Sequence, residues 1–244
     1  MISIQNLSVA FGRNIVLKNL DLDLHAGHIY GLLGRNGIGK TTLLRAIMGL
    51  YFPVSGTIDI NGYNPINREP DFLNDIFFLG EEIYFPELSF IQLAKNLGVF
   101  YPNFNVEKFG TILGEFEIDT NFQFKKLSFG QKKKVKIAFG LATNSAIILM
   151  DEPSNGLDIL AKKQFRKILA ANTNEENLII VATHQIKDIE NLIDNVVILG
   201  NNKILANTDI CQIEKDSTIE IDNLMNDGVL SLEKYYEMIL TKKQ

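Results

Sequence analysis

Gly34-Arg35-Asn36-Gly37-Ile38-Gly39-Lys40-Thr41 fits the pattern G-x-x-x-x-G-K-[ST] at every required position. Residues of these types at this spacing suit the holding of a polyphosphate. Glycine lets backbone N–H groups close round a phosphate because no Cβ blocks the approach. A helix starting at the loop's end adds free amides and the positive end of its dipole. Lys40 would reach the β- and γ-phosphates, and the Thr41 hydroxyl would ligate Mg²⁺. A second cluster, Ala146-Ile147-Ile148-Leu149-Met150-Asp151-Glu152, is an apolar run ending in two carboxylates. Asp151 is placed to hold Mg²⁺, directly or through water. Glu152, one residue beyond, is placed to orient and polarise an attacking water, a contribution of typically about 10²–10⁴-fold. The plainer alternatives are a glycine-rich turn that binds nothing and two acids that cap a strand.

These residues need a strand before the loop and a helix after it. His28-Ile29-Tyr30-Gly31-Leu32-Leu33 reads as the strand, and Thr42-Leu43-Leu44-Arg45-Ala46-Ile47-Met48 as the helix. Residues 2–11 and 15–24 alternate apolar and polar side chains around Gly12-Arg13-Asn14, which predicts an antiparallel hairpin. Gly49 and Pro53 break the chain, Thr57–Ile60 runs into the turn signal Asn61-Gly62, and Ile76–Leu79 reads as a short buried strand. From Glu81 to about Thr143 the period turns helical, with Phe90, Leu93, Ala94 and Leu97, then Phe109, Leu113 and Phe116, at three- and four-residue intervals. Strands follow at Ile147–Met150, Leu178–Val181 and Val196–Leu199, with a helix from about Ile159 to Leu169 and a break at Gly200-Asn201-Asn202. The expected architecture is an α/β core with a helical insertion. The segment 211–244 is charged and ends in an amphipathic helix around Leu230, Leu232, Tyr235, Tyr236 and Ile239, read as a packing extension.

The bulk properties narrow the function class. The 244 residues allow one large domain or a domain with a sub-lobe, and the net charge of −5 argues against a general nucleic-acid binder. The lone cysteine, Cys211, can form no internal disulfide and suits a reducing compartment. Met1-Ile2-Ser3-Ile4-Gln5-Asn6 lacks the basic-then-apolar pattern of a signal peptide, and no apolar run approaches the roughly 18–20 residues that span a bilayer. The expectation is a soluble polypeptide that does not itself cross a membrane.

Between the two phosphate motifs lies Leu127-Ser128-Phe129-Gly130-Gln131, followed by an amphipathic helix from about Lys132 to Leu141. After the acid pair come Ser154-Asn155-Gly156-Leu157-Asp158 and Ala182-Thr183-His184. With these, the chain resembles the ATP-binding subunit of an ATP-binding cassette (ABC) transporter over about residues 1–205. Its compact length and Leu232-Glu233-Lys234-Tyr235-Tyr236 are similar to the bacterial ABC-2 exporter type. The resemblance implies a P-loop NTPase (RecA-like) core, an N-terminal antiparallel β subdomain and a helical subdomain inserted at about 82–143. The cassette would span 1–210 and a C-terminal extension 211–244.

The resemblance also implies a composite site. ATP and Mg²⁺ would be held by Gly34, Arg35, Asn36, Gly37, Ile38, Gly39, Lys40, Thr41 and Thr42, with Phe11 where an adenine-stacking aromatic is expected and Thr41, Asp151 and Glu81 on the metal. Ser128, Gly130 and Gln131 would meet the γ-phosphate held by a second cassette, Asp158 would cross that dimer interface, and His184 would touch the γ-phosphate beside Glu152 and Lys40. The cassette would be a homodimer or heterodimer on the cytoplasmic face of the membrane, energising separate transmembrane permease subunits, with no nucleic acid involved. The competing class is a soluble single-cassette ATPase such as an iron–sulfur cluster assembly ATPase. His25 and His28 read as core histidines.

Two departures from the family pattern matter. Phe129 stands where glycine is commonest, while Gly130, nearest the phosphate, remains. Glu81, aligned through Phe78-Leu79-Gly80-Glu81 and Phe85-Pro86-Glu87-Leu88-Ser89, replaces the expected glutamine, and a carboxylate repels γ-phosphate charge as an amide does not. Lys132-Lys133-Lys134-Val135-Lys136 reads as a basic run spread over a solvated helix face.

Overall fold

The computed structural model of the chain describes residues 1–81, 86–213, 225–226 and 229–242. Phe85, used to align Glu81, and the first residues of the expected helical insertion lie outside them, as does the side chain of Leu230.

The hairpin read from alternation is present. β1 (Ile2–Phe11) and β2 (Asn14–Leu24) pair antiparallel, and β4 (Ser55–Ile60) joins β1 on its other edge. Between them β3 (His28–Leu33) leads into α1 (Lys40–Ile47). Next come α2 (Pro70–Asn74) and β5 (Ile76–Leu79), then α3 (Phe90–Asn96), α4 (Val106–Glu115) and α5 (Phe129–Ala142). The chain returns to sheet with β6 (Ile147–Asp151), crosses through α6 (Ile159–Ala171) to β7 (Leu178–Thr183), and reaches β8 (Asn195–Gly200) and β9 (Lys203–Asp209). The short α7 (Ile210–Ile213), an antiparallel pair of β10 (Met225–Asn226) and β11 (Val229–Leu230), and α8 (Leu232–Lys242) follow.

The main sheet runs β5-β6-β7-β3-β8-β9, parallel except for β9. Strand β9 was not expected from the sequence, and it turns a parallel sheet into a mixed one.

Alternation along the parallel strands explains why both faces are apolar. Ile148 and Met150 of β6, with Ile179 and Val181 of β7, join a core formed with the inserted helices and α6. Ile147 and Leu149, with Ile180 and Ala182, face the opposite way into a core formed with α1 and the antiparallel sheet. A sheet covered on both faces needs near-continuous apolar strands, which is how those runs appear in the sequence. An aromatic cluster fills the centre of the helical segment. Phe139 of α5 lies 4.9 Å from Phe104 and 5.6 Å, edge-on, from Phe109, which stacks on Phe90 at 4.9 Å.

Candidate functional site

Three neighbouring parallel strands, β6, β7 and β3, end at the same edge. Asp151 is in register with Ala182, and Leu33 with Thr183. The strand ends deliver the glycine loop, the acid pair and Thr183-His184 to one place, the carboxyl edge where α/β sheets bind ligands.

The loop closes on Gly39, the N-cap of α1, at φ 114. A side chain there would be strained and its Cβ would stand 2.8 Å from Leu17, so glycine is required twice over. Lys40 opens the helix and is buried. Its Nζ donates to the carbonyls of Gly34 at 2.7 Å and Arg35 at 3.3 Å and stands 3.7 Å from Glu152 Oε1. Burial pulls its pKa down, and the Glu152 and Asp151 charges pull it back up.

Thr41 Oγ1 donates to Asp151 Oδ2 at 2.7 Å, while Asp151 Oδ1 is buried with no hydrogen-bond partner. Burial, the largest effect, raises the Asp151 pKa. Glu152 takes a left-handed backbone, φ 48, which costs a non-glycine residue about 1–2 kcal/mol. The conformation is over-determined by its bonds. Its N–H donates to Ala182 O at 2.8 Å, Thr183 Oγ1 donates to its Oε2 at 2.8 Å, and the His184 N–H donates to its Oε1 at 3.1 Å. His184 Nδ1 also lies 2.8 Å from Glu152 Oε1. The carboxylate is thereby fixed towards Lys40 and the loop.

A cavity of about 380 Å³ opens between these groups, walled by Asn36, Gly37, Gly39, Lys40, Thr41 and Thr42 on the loop side. Glu81, Asp151, Glu152, Asn155 and His184 wall the other side. Gly34, Arg35 and Ile38 belong to the loop but not to the wall: a Cβ on Gly34 would sit 2.7 Å from the Ile38 side chain. Phe11 is also off the wall, half-exposed at the hairpin tip with its ring edge-on to Tyr51 at 5.0 Å.

Ser128, Gly130, Gln131 and Asp158 do not line the cavity. Ser128 is the N-cap of α5 in a capping box: its hydroxyl accepts from Gln131 N–H at 3.2 Å, and Gln131 Oε1 accepts from Ser128 N–H at 2.9 Å. Asp158 caps α6, accepting from Ala161 N–H at 2.8 Å. Glu81 is exposed, and its Oε1 accepts from Asn155 Nδ2 at 2.7 Å.

The reading of the basic run as a solvated face is corrected. Lys133 is 3% exposed, and its Nζ donates to the Glu152 main-chain carbonyl at 2.7 Å. A signal was available: Lys133 precedes Ile137 by four residues and so shares its buried stripe. Asn155 and the side chain of Thr183 also went unassigned. Both flank the acid pair, but their partners are set by tertiary contact, which spacing alone does not reveal.

The donor set fits a hard divalent cation. Glu81, Asp151 and Glu152 face the cavity with Lys40 as the lysine opposite them, and Asp151 Oδ1 lacks a partner beside the Thr41 hydroxyl. Oxygen donors with excess negative charge are what such a cation takes. Among the described residues no cluster of three or more His, Cys, Asp or Glu stands at metal-holding distance, so a protein-only cage is not present.

A lysine-bearing glycine loop facing a strand-end acid pair, on the parallel strands of a mixed sheet with helices inserted before the acid strand, defines a P-loop nucleotide-binding ATPase. The sequence model described as ABC transporter matches residues 17–155, and the chain belongs to the ABC transporter family, as its ATP-binding and ATP-hydrolysing subunit. It is 31% identical to the ABC transporter ATP-binding protein YtrB of Bacillus subtilis (strain 168), over 88% of this chain and 74% of that one. It is 28% identical to the bacitracin transport ATP-binding protein BcrA of Bacillus licheniformis, over 98% and 80%. The solved structure of an ATP-binding subunit of an ABC transporter superposes with a TM-score of 0.83 at 24% identity, covering 98% of this chain and 99% of that one. The dimeric ABC transporter cassette MJ0796 superposes with a TM-score of 0.74 at 23% identity, covering 86% and 99%. Both structures show the fold that this chain adopts.

Proposed function

We propose that this chain powers a bacterial exporter of the ABC-2 type: two cassettes close on two ATP molecules, hydrolysis reopens them, and separate transmembrane subunits carry the cargo. The observation that supports this most is the setting of Glu152, buried, triply anchored and 3.7 Å from the lysine of the glycine loop. In this reading the loop amides and Lys40 hold the phosphates, Phe11 stacks on the adenine, and Glu152 takes the proton of the attacking water. His184, already on Glu152 Oε1, keeps the carboxylate aimed and meets the γ-phosphate. Thr41 and Asp151, with Glu81 nearby, would hold Mg²⁺, which supplies neutralisation of the charge developing on the phosphates.

Ser128 and Gln131 cap the N-terminus of α5 away from the chain's own cavity, and there Gly130 and the remaining helix amides would receive the γ-phosphate held by a partner cassette. Asp158 would lie at the same interface. Residues 1–210 would form the cassette, about 82–143 its helical subdomain and 211–244 its extension. An apolar cavity of about 540 Å³ lies where Phe77 and Leu79 of the sheet meet Leu97, Phe100 and Tyr101 of the inserted segment. It suits a helix end of a permease, and would place the cassette peripherally on the cytoplasmic face of the membrane. Among the described residues no helix is long and apolar enough to cross a membrane.

Two relatives named for bacitracin and lantibiotic transport make a peptide-like cargo the first to test. Nothing in the fold or the comparisons favours iron–sulfur cluster assembly. The deciding experiment is Glu152→Gln. It should retain ATP binding, lose about 10²–10⁴-fold in turnover, and accumulate an ATP-dependent dimer seen by light scattering. Unchanged hydrolysis would remove Glu152 from the assigned role.

A further inference from the structure

Two lysines are buried among the described residues, and Lys133 is the one the proposed chemistry leaves unused. A buried ammonium is retained only where something pairs with it, and burial pulls its pKa down. Its partner is the main-chain carbonyl of Glu152, at 2.7 Å. Glu152 sits just past the end of β6 in a left-handed conformation, so the direction of that carbonyl and of the side chain are set together.

One turn earlier on the same face of α5, Phe129 and Gly130 bear on the loop that follows. A Cβ on Gly156 would meet the Phe129 ring at 2.5 Å, and a Cβ on Gly130 would stand 3.2 Å from the Gly156 carbonyl. The first turns of α5 thus ride on the segment 152–156 through apolar contact at one end and Lys133 at the other.

We propose that Lys133 is a positioning residue that ties the setting of Glu152 in one composite site to engagement of α5 in the other. The proposal rests on the composite-site reading above. There, the N-terminus of α5 receives the γ-phosphate bound by the partner cassette, whereas Glu152 serves the nucleotide on its own loop. Lys133 joins the two within one chain by a single hydrogen bond. A small rotation of α5 on engagement moves the Glu152 carbonyl, and with it the carboxylate that Thr183 and His184 hold. Hydrolysis at each site then depends on occupancy of the other.

The test uses the full chain and steady-state ATPase against ATP concentration. Lys133→Met keeps the stem and its packing but removes the donor. It should lower kcat by about 10- to 100-fold, as a slightly misplaced group does, leave KM within about threefold, and lower the Hill coefficient to what dimer closure alone contributes. Lys133→Arg should recover part of kcat. In a Glu152→Gln background Lys133→Met should leave the ATP-dependent dimer intact, since the residue acts on Glu152 and not on closure. Wild-type kcat and cooperativity in Lys133→Met overturn the proposal, as does loss of the dimer in the double variant. Absence of that dimer in Glu152→Gln alone would instead sink the composite-site reading. If Lys133→Met does not fold, Lys133→Leu, which also lacks a donor, carries the same comparison.

Discussion

Thr41 Oγ1 and Asp151 Oδ2, 110 residues apart in sequence, are joined by a 2.7 Å hydrogen bond that leaves the other Asp151 oxygen buried and unpaired. The contact links the glycine loop's helix to the acid strand before any ligand arrives. It also sets the electrostatics. The Asp151 carboxyl is held above its ordinary value of 3.8, chiefly by burial. The folded chain therefore binds more protons than the unfolded chain between 3.8 and that raised value, and stability falls as pH rises through this window. Asp151→Asn removes the titration. Urea unfolding without Mg²⁺ should show a pH slope in the wild type that is reduced in Asp151→Asn, whose Mg²⁺-dependent ATPase should be lost. Equal slopes in the two proteins would show that Asp151 is not the group responsible.

Thr183 is fully buried and gives Glu152 Oε2 its hydrogen bond. Thr183→Val keeps the shape and leaves a buried carboxylate oxygen short of a donor. Hydrogen bonds to charged groups contribute about 1.5–3 kcal/mol, so the denaturation midpoint should drop accordingly and ATPase should fall with it. Thr183→Ser, which keeps the hydroxyl, should recover most of both. A Thr183→Val protein as stable and active as wild type would show the bond to be dispensable.

Gly156 carries two burdens, a φ of 80 and the Phe129 ring over it. The ring is exposed and can swing aside, whereas the backbone cannot. Gly156→Ala should therefore cost about 1–2 kcal/mol from the left-handed conformation. That cost should persist within about 0.5 kcal/mol in a Phe129→Ala background. A cost that vanishes when Phe129 is trimmed would identify the ring as its source.

Glu81 accepts from Asn155 and lines the same cavity as Asp151 and Thr41. Glu81→Gln keeps an oxygen for Asn155 and removes one negative charge. Apparent Mg²⁺ affinity in the ATPase assay should weaken by about two- to fivefold, the scale of an exposed charge pair. Unchanged rate and Mg²⁺ dependence would separate Glu81 from the metal.

The legible parts of this protein were those where a motif and a strand end coincide. Gly34–Thr41, Asp151-Glu152 and His184 each follow a short apolar run, and such runs in a doubly covered sheet announce themselves. Strand β9 was missed because Lys203–Asp209 is half-exposed at the sheet edge and lacks clean alternation. Its signal was the turn: Asn201 and Asn202 both take left-handed φ, 49 and 63, as a tight two-residue hairpin requires. Helical spacing spreads Lys132–Lys136 round α5, and that spread hides that Lys133 falls on the buried stripe with Ile137. The lysine's partner is a main-chain carbonyl 19 residues on, a contact that only the tertiary fold creates. The cap made by Ser128 and Gln131 follows the Ser-x-x-Gln spacing directly.

The place of β3 in the sheet has a consequence for synthesis. Its two neighbours are β7 and β8, so residues 28–33 must wait for residues 178–183 and 195–198 before either edge is paired. The glycine loop leaves the ribosome early, attached to an apolar strand with no partner, while the β1–β2 hairpin beside it can form at once. Pairing across such sequence distances is slow and leaves apolar edges open to aggregation in the meantime. A nascent chain stopped before residue 178 would carry the whole phosphate motif and still have no site to put it in.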